Sequence, residues 1–67
     1  MATKSDIYRT ASLLIQEYGE MAPIGANVRA DQLRDAGDEK GYRVWRRIAM
    51  ASEDILAETR PADTAVH

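Results

Sequence analysis

The sequence predicts an all-α fold, a compact domain of three helices. Three observations point to it. Apolar residues recur at three- and four-residue steps over most of the chain, as they do along one face of a helix. Glycine, proline and aspartate stand where such segments would stop and restart. No stretch alternates apolar and polar residues, and no Asn-Gly or Asp-Gly pair marks a hairpin.

The first predicted helix spans about 5–18. Thr3-x-x-Asp6 has the spacing of a capping box, with Ser5 as a competing cap. Ile7, Ala11, Leu14 and Tyr18 form one helical stripe, widened by Tyr8 and Ile15. Gly19 then falls where a left-handed residue closes a helix. The segment "EMAP" reads as the first connection. Pro23 suits the opening turn of a second helix and disfavours helical geometry at Ala22.

The second helix is predicted over about 23–35. Its large apolar residues are Ile24, Val28 and Leu33, with Ala22, Ala26 and Ala30 among them. The small residues allow a neighbouring helix to approach closely, which makes this the packed middle element. Gly37-Asp38 ends it and starts the third helix, glycine closing one and aspartate capping the next. The third helix is predicted over about 39–58. Gly41, Trp45, Ile48, Ser52 and Ile55 follow helical spacing, with Ala49 and Leu56 beside them. Pro61 stops the pattern. Residues 1–60 therefore read as one domain and "PADTAVH", 61–67, as a flexible tail.

Composition excludes several kinds of chemistry. The chain has 67 residues, no cysteine and a single histidine, His67, so neither disulfide staples nor a zinc-binding set is expected. "DAGDEK" resembles a calcium loop only superficially. Counting from Asp31 or Asp35, the oxygen ligands and the glycine fall out of register. There is no glycine-rich phosphate loop and no Gly-x-Ser-x-Gly elbow. The expectation is a non-enzyme without metal or cofactor. The opening "MATKSDIYRT" lacks an apolar segment and the longest purely apolar run is Leu13-Leu14-Ile15, so a cytoplasmic chain without a membrane span is expected.

What remains is binding. At 67 residues the core is small and has no covalent staple, which makes pairing with another copy or a partner a natural expectation. The candidate interaction surface is Tyr42, Arg43, Val44, Arg46, Arg47 and Met50, since Trp, Tyr and Arg dominate binding hot spots and Val44 and Met50 lie off the core stripe. Leu13 and Met21 are further candidates for exposed apolar contact. Structural roles fall to Gly19, Pro23, Gly37, Asp38, Trp45 and Ile48, with Trp45 as core anchor. The alternative is a small nucleic-acid-associated regulator, using the last two helices as a helix-turn-helix-like pair and Arg43, Arg46 and Arg47 on phosphates. A net charge of −2 weighs against it, as do Asp35, Asp38 and Glu39 at the end that would enter a groove. A solvated arginine face, paired with Asp31, Asp35 or Glu39, would explain the same residues. A protein-binding surface predicts association indifferent to salt, a nucleic-acid surface the reverse.

The stretch "ASLLIQEYGEMAPIGANVRADQLRDAGDEKGYRVWRRI" resembles a family of short, uncharacterised alphaproteobacterial helical proteins, a domain of unknown function. The shared pattern is Leu13-Leu14-Ile15, Gly19, Ala22, Ala30-Asp31-x-Leu33, Gly37-Asp38, Gly41 and Val44-Trp45-x-x-Ile48, within about residues 7–57. The resemblance implies a small bacterial protein and brings no activity with it.

Overall fold

The structure is a computed structural model and describes residues 3–59. The regular elements are all helical: α1 (Lys4–Tyr18), a 3₁₀ turn (Gly19–Met21), α2 (Ala22–Asp35) and α3 (Glu39–Thr59). Among the described residues there is no strand. The tail expected over 61–67, with His67, lies outside the described residues, as does Pro61.

The break expected at "EMAP" is not a loop. Gly19–Met21 forms a 3₁₀ turn that leads straight into α2, so no loop separates α1 from α2, although Gly19 itself departs from helical geometry; a second helical run spans 39–59. The molecule is thus two helical runs, the first divided by a 3₁₀ turn, rather than three helices joined by two loops. The reason lies at Pro23, the second residue of α2. An N–H missing from the first turn costs no helical hydrogen bond. Ala22 adopts φ −56° and ψ −46° despite the proline that follows, and its N–H donates to the Gly19 carbonyl. Gly19 does take the positive φ expected of it, at 59°, but ψ of −132° lies outside the left-handed helical region. Its N–H still donates to the Ile15 carbonyl, so α1 ends with its hydrogen bonding intact.

At the start of α1 the capping box forms as the sequence predicts. Thr3 Oγ1 accepts from the Asp6 N–H at 3.1 Å, and Asp6 Oδ2 accepts from the Thr3 N–H at 3.4 Å. The second turn is also legible. Gly37, at φ 87°, lets its N–H donate to the Arg34 carbonyl and the Asp38 N–H to the Leu33 carbonyl, closing α2 with the paired bonds of a Schellman motif. Asp38 then caps α3, its Oδ1 accepting from the Gly41 N–H at 2.9 Å. These bonds account for the glycine and the aspartate of "DAGDEK" by helix ends alone.

α3 is the spine. α2 lies against it over much of its length, α1 packs on it less extensively, and α1 and α2 touch each other least. The buried face of α2 is Ala22, Pro23, Ala26 and Ala30, and α3 answers with Ile48, Ala49, Ala51 and Ser52. α1 adds Ile7 and Ala11. Leu14, Val44, Trp45 and Ile55 pack on this cluster while half-buried. The largest side chain that is fully buried is Ser52, whose hydroxyl donates to the Ile48 carbonyl at 2.8 Å and so brings no unsatisfied polar atom into the core. Two expectations are corrected. The packed middle element is α3 and not α2, whose alanines make the close contact while Ile24 and Val28 face outward. Tyr18 leaves the α1 stripe for solvent.

The two glycines that sit within α2 and α3 should respond oppositely to alanine. A Cβ on Gly41 would lie 2.7 Å from Asp38 Oδ2 and 3.0 Å from Leu33 Cδ1, so the cap or the leucine must move. A Cβ on Gly25 meets nothing within 4 Å. Gly41→Ala should destabilise by up to about 1 kcal/mol, since disturbing the N-cap costs about 0.5–2 kcal/mol and the gain in helix propensity returns about 0.5–1 kcal/mol. Gly25→Ala should stabilise by about 0.5–1 kcal/mol. Thermal or urea unfolding followed by circular dichroism checks both.

Candidate interaction surface

The predicted surface residues all lie on α3, but they do not act as one set. Position along a helix fixes this. Arg43, Arg47 and Met50 are separated by four and three residues and share the face of α3 turned away from α2. All three are exposed. Val44 is turned toward α1 and packs half-buried on the core, so it is not the exposed contact expected of it. Tyr42 and Arg46 sit on the edge that faces α2 and are held there. Arg46 Nη1 donates to Asn27 Oδ1 at 2.7 Å. The guanidinium of Arg34 lies over the Tyr42 ring, 5.2 Å from its centroid, in a cation–π contact.

The expected pairing of the arginines with Asp31, Asp35 or Glu39 does not form. Asp31 pairs instead with Arg34, at 3.7 Å within α2. Among the described residues Arg43 and Arg47 have no salt-bridge partner. Two open grooves run along this face. One, of about 800 Å³, is lined by Lys40, Arg43, Val44 and Arg47 together with the capped turn at Asp38. The other, of about 340 Å³, passes between Lys4 and Tyr8 of α1 and Arg47, Met50 and Asp54 of α3. Arg47 belongs to both. The sequence reading missed Lys40, Asp54 and the two α1 residues. Lys40 and Asp54 follow from the same three- and four-residue spacing; Lys4 and Tyr8 depend on how α1 crosses α3, which no local pattern encodes.

Trp45, expected as the core anchor, is half-buried and packs on the core cluster, and its edge also lines a groove with Leu14, Tyr18, Gly25 and Val28. That groove opens onto a second exposed surface. Tyr18, Met21, Ile24 and Val28 each leave more than half of their area to solvent, as do Leu13 and Met50. Met21, Ile24 and Val28 form one stripe on the side of α2 opposite Ala22, Ala26 and Ala30. Of these, Leu13, Met21 and Met50 are readable from sequence as off-stripe apolar residues. Ile24 and Val28 are not, because both sides of α2 are apolar.

No group of acidic residues or histidine among the described residues is arranged to hold a metal ion. No described helix is long and apolar enough to cross a membrane. Compared with known proteins, the chain matches no family model, and no curated protein or solved structure shows significant similarity to it.

The arginines separate by role. Arg46→Ala should lower stability by about 0.5–1.5 kcal/mol through the lost bond to Asn27. Arg43→Ala and Arg47→Ala should leave the unfolding midpoint within about 0.5 kcal/mol of the parent, as unpaired surface residues do. Parallel denaturation curves of the three variants distinguish these outcomes.

Proposed function

We propose that the chain is a small cytoplasmic, non-catalytic protein-interaction module, a bacterial protein of the family it resembles, that binds another protein or itself. One observation carries the reading. The fully buried positions are taken by alanines and a serine, while Tyr18, Met21, Ile24, Val28 and Met50 stand in solvent. Leaving a large apolar side chain exposed forgoes roughly 1.5–3 kcal/mol relative to burying it. Contiguous apolar surface, such as the Met21, Ile24 and Val28 stripe, marks contact sites. Arg43 and Arg47, with Met50 on the separate open face of α3, offer a second and more polar contact.

The second reading, a nucleic-acid-associated regulator, has an observation of its own: Lys40, Arg43 and Arg47 are exposed along one side of α3. Asp38 and Glu39 at the start of the same helix oppose it by repelling phosphate. The experiment is capture with the tagged chain from the cells that make it, with and without nuclease. The interaction module predicts a stoichiometric protein partner that survives nuclease. A variant carrying Ile24→Glu and Val28→Glu, or Met50→Glu, should lose that capture by at least about tenfold while remaining helical by circular dichroism. Proteins recovered only in the absence of nuclease would move the function to the basic side of α3.

A further inference from the structure

The exposed face of α3 is divided by charge. Lys40, Arg43, Arg46 and Arg47 lie in its first half with Glu39 as the only carboxylate. Residues 48–59 carry Glu53, Asp54 and Glu58 and no cation. This order does not serve the helix itself. Glu58 stands in the last turn, where no basic residue among the described residues offsets the negative end of the dipole. Nor does it serve the fold: among the described residues, none of Arg43, Arg47, Asp54 and Glu58 has a salt-bridge partner. Lys40, Arg43, Arg47, Met50, Asp54 and Glu58 follow at three- and four-residue steps and make one stripe. Met50 is the apolar residue on it and separates the cations from the carboxylates.

A stripe that is basic at one end and acidic at the other is complementary to its own reverse. We propose that α3 is the seam of an antiparallel homodimer of this chain, its two-fold axis passing between Arg47 and Met50. The proposal rests on the interaction-module reading and names the partner as a second copy. In that arrangement Lys40 faces Glu58 of the second copy, Arg43 faces its Asp54, and Arg47 lies along its Met50. A two-fold axis makes every contact twice, which is how a modest surface closes on itself. A parallel pairing sets cation against cation and is excluded by the same charges. Lys4 and Tyr8, beside Arg47 and Met50 in the smaller groove, flank the seam. Among the described residues, Lys4 and Arg47 are the cations that line the groove with Asp54, and Asp38 and Glu39 are the carboxylates at the basic end.

Exposed ion pairs are individually weak and screened by salt, so the dimer forms at micromolar or higher concentration and weakens as salt rises. This differs from the salt-indifferent association expected of a purely apolar surface. The test is sedimentation equilibrium of the purified full chain up to about 1 mM. It is run at about 0.1 M and about 1 M salt, between which the Debye length falls from about 10 Å to about 3 Å. Two charge-reversed variants accompany the parent. One carries Lys40→Glu, Arg43→Glu and Arg47→Glu, the other Asp54→Lys and Glu58→Lys. All five positions are exposed, and circular dichroism confirms that each variant is helical. The parent should dimerise, at least about fivefold more weakly at high salt. Each variant alone should be monomeric, and an equimolar mixture of the two should form a heterodimer. A monomeric parent overturns the pairing whatever the capture experiment yields, so the two readings fail separately. So does a dimer that survives both reversals, or one abolished by Ile24→Glu and Val28→Glu alone, which would place the interface on α2.

Discussion

The close approach of α2 to α3 is the constraint on which the rest of the molecule depends. It is made by residues with almost no side chain. Ala22, Ala26 and Ala30 are fully buried at successive turns of α2, and Ser52 is fully buried on α3. Helix axes can come near the short end of the usual range of separations only where side chains at the contact are small. Once that contact is set, larger residues have two places to go. Ile7, Ile48, Leu14 and Trp45 fill the space that α1 closes over α3. Ile24 and Val28, on the other side of α2, border grooves and leave about half of their area uncovered by the described residues. The exposed apolar stripe is therefore the geometric consequence of an alanine seam. At Gly25, between Ile24 and Val28, an added Cβ would meet nothing within 4 Å.

The turn between the helices holds the seam in register. Gly37 reverses the chain at positive φ, and Asp38 caps α3 by bonding to Gly41. Gly41 is at the same time the point where α3 passes Leu33 of α2 so closely that a methyl group would displace the Asp38 or Leu33 side chain. One residue thus serves the cap and the close contact together. Further along, Arg46 bonds to Asn27, while near the turn Tyr42 lies under Arg34. These polar ties flank the alanine contact on its solvent side, and they draw Tyr42 and Arg46 away from any free surface.

Sequence and structure agree where the determining physics is local. The capping box at Thr3 and Asp6, the Gly37–Asp38 turn and the core stripe of α3 from Gly41 to Ile55 rest on contacts within a few residues, so periodicity and turn chemistry reveal them. They part where the outcome depends on which of two faces wins. In α2, transfer energy favours burying Ile24 and Val28, and periodicity alone does not separate their side from the alanine side. Packing distance favours the alanines, and it prevails because three of them align at four-residue steps against one long helix. The proline at 23 misleads for a related reason. It does break helices from the interior, but at the second position of a helix it removes no bond. For the surface, shared helical spacing identifies Arg43, Arg47 and Met50, whereas Val44, Tyr42 and Arg46 are claimed by neighbours that only tertiary structure supplies.

Two kinds of unused surface are left by this economy, and they differ in what they can specify. The apolar side of α2 offers area without direction. Any sufficiently apolar helix could cover it, and its residues do not distinguish one orientation from another. The face of α3 offers little apolar area but a definite order of charge. Like charges brought together cost more than opposite charges return at an exposed site, so its main effect is to reject wrong alignments. A contact that used only the first would be adhesive and poorly defined; one that used only the second would be selective and weak. Because α1, α2 and α3 carry both surfaces on one rigid seam, binding at one face presents the other at a fixed angle.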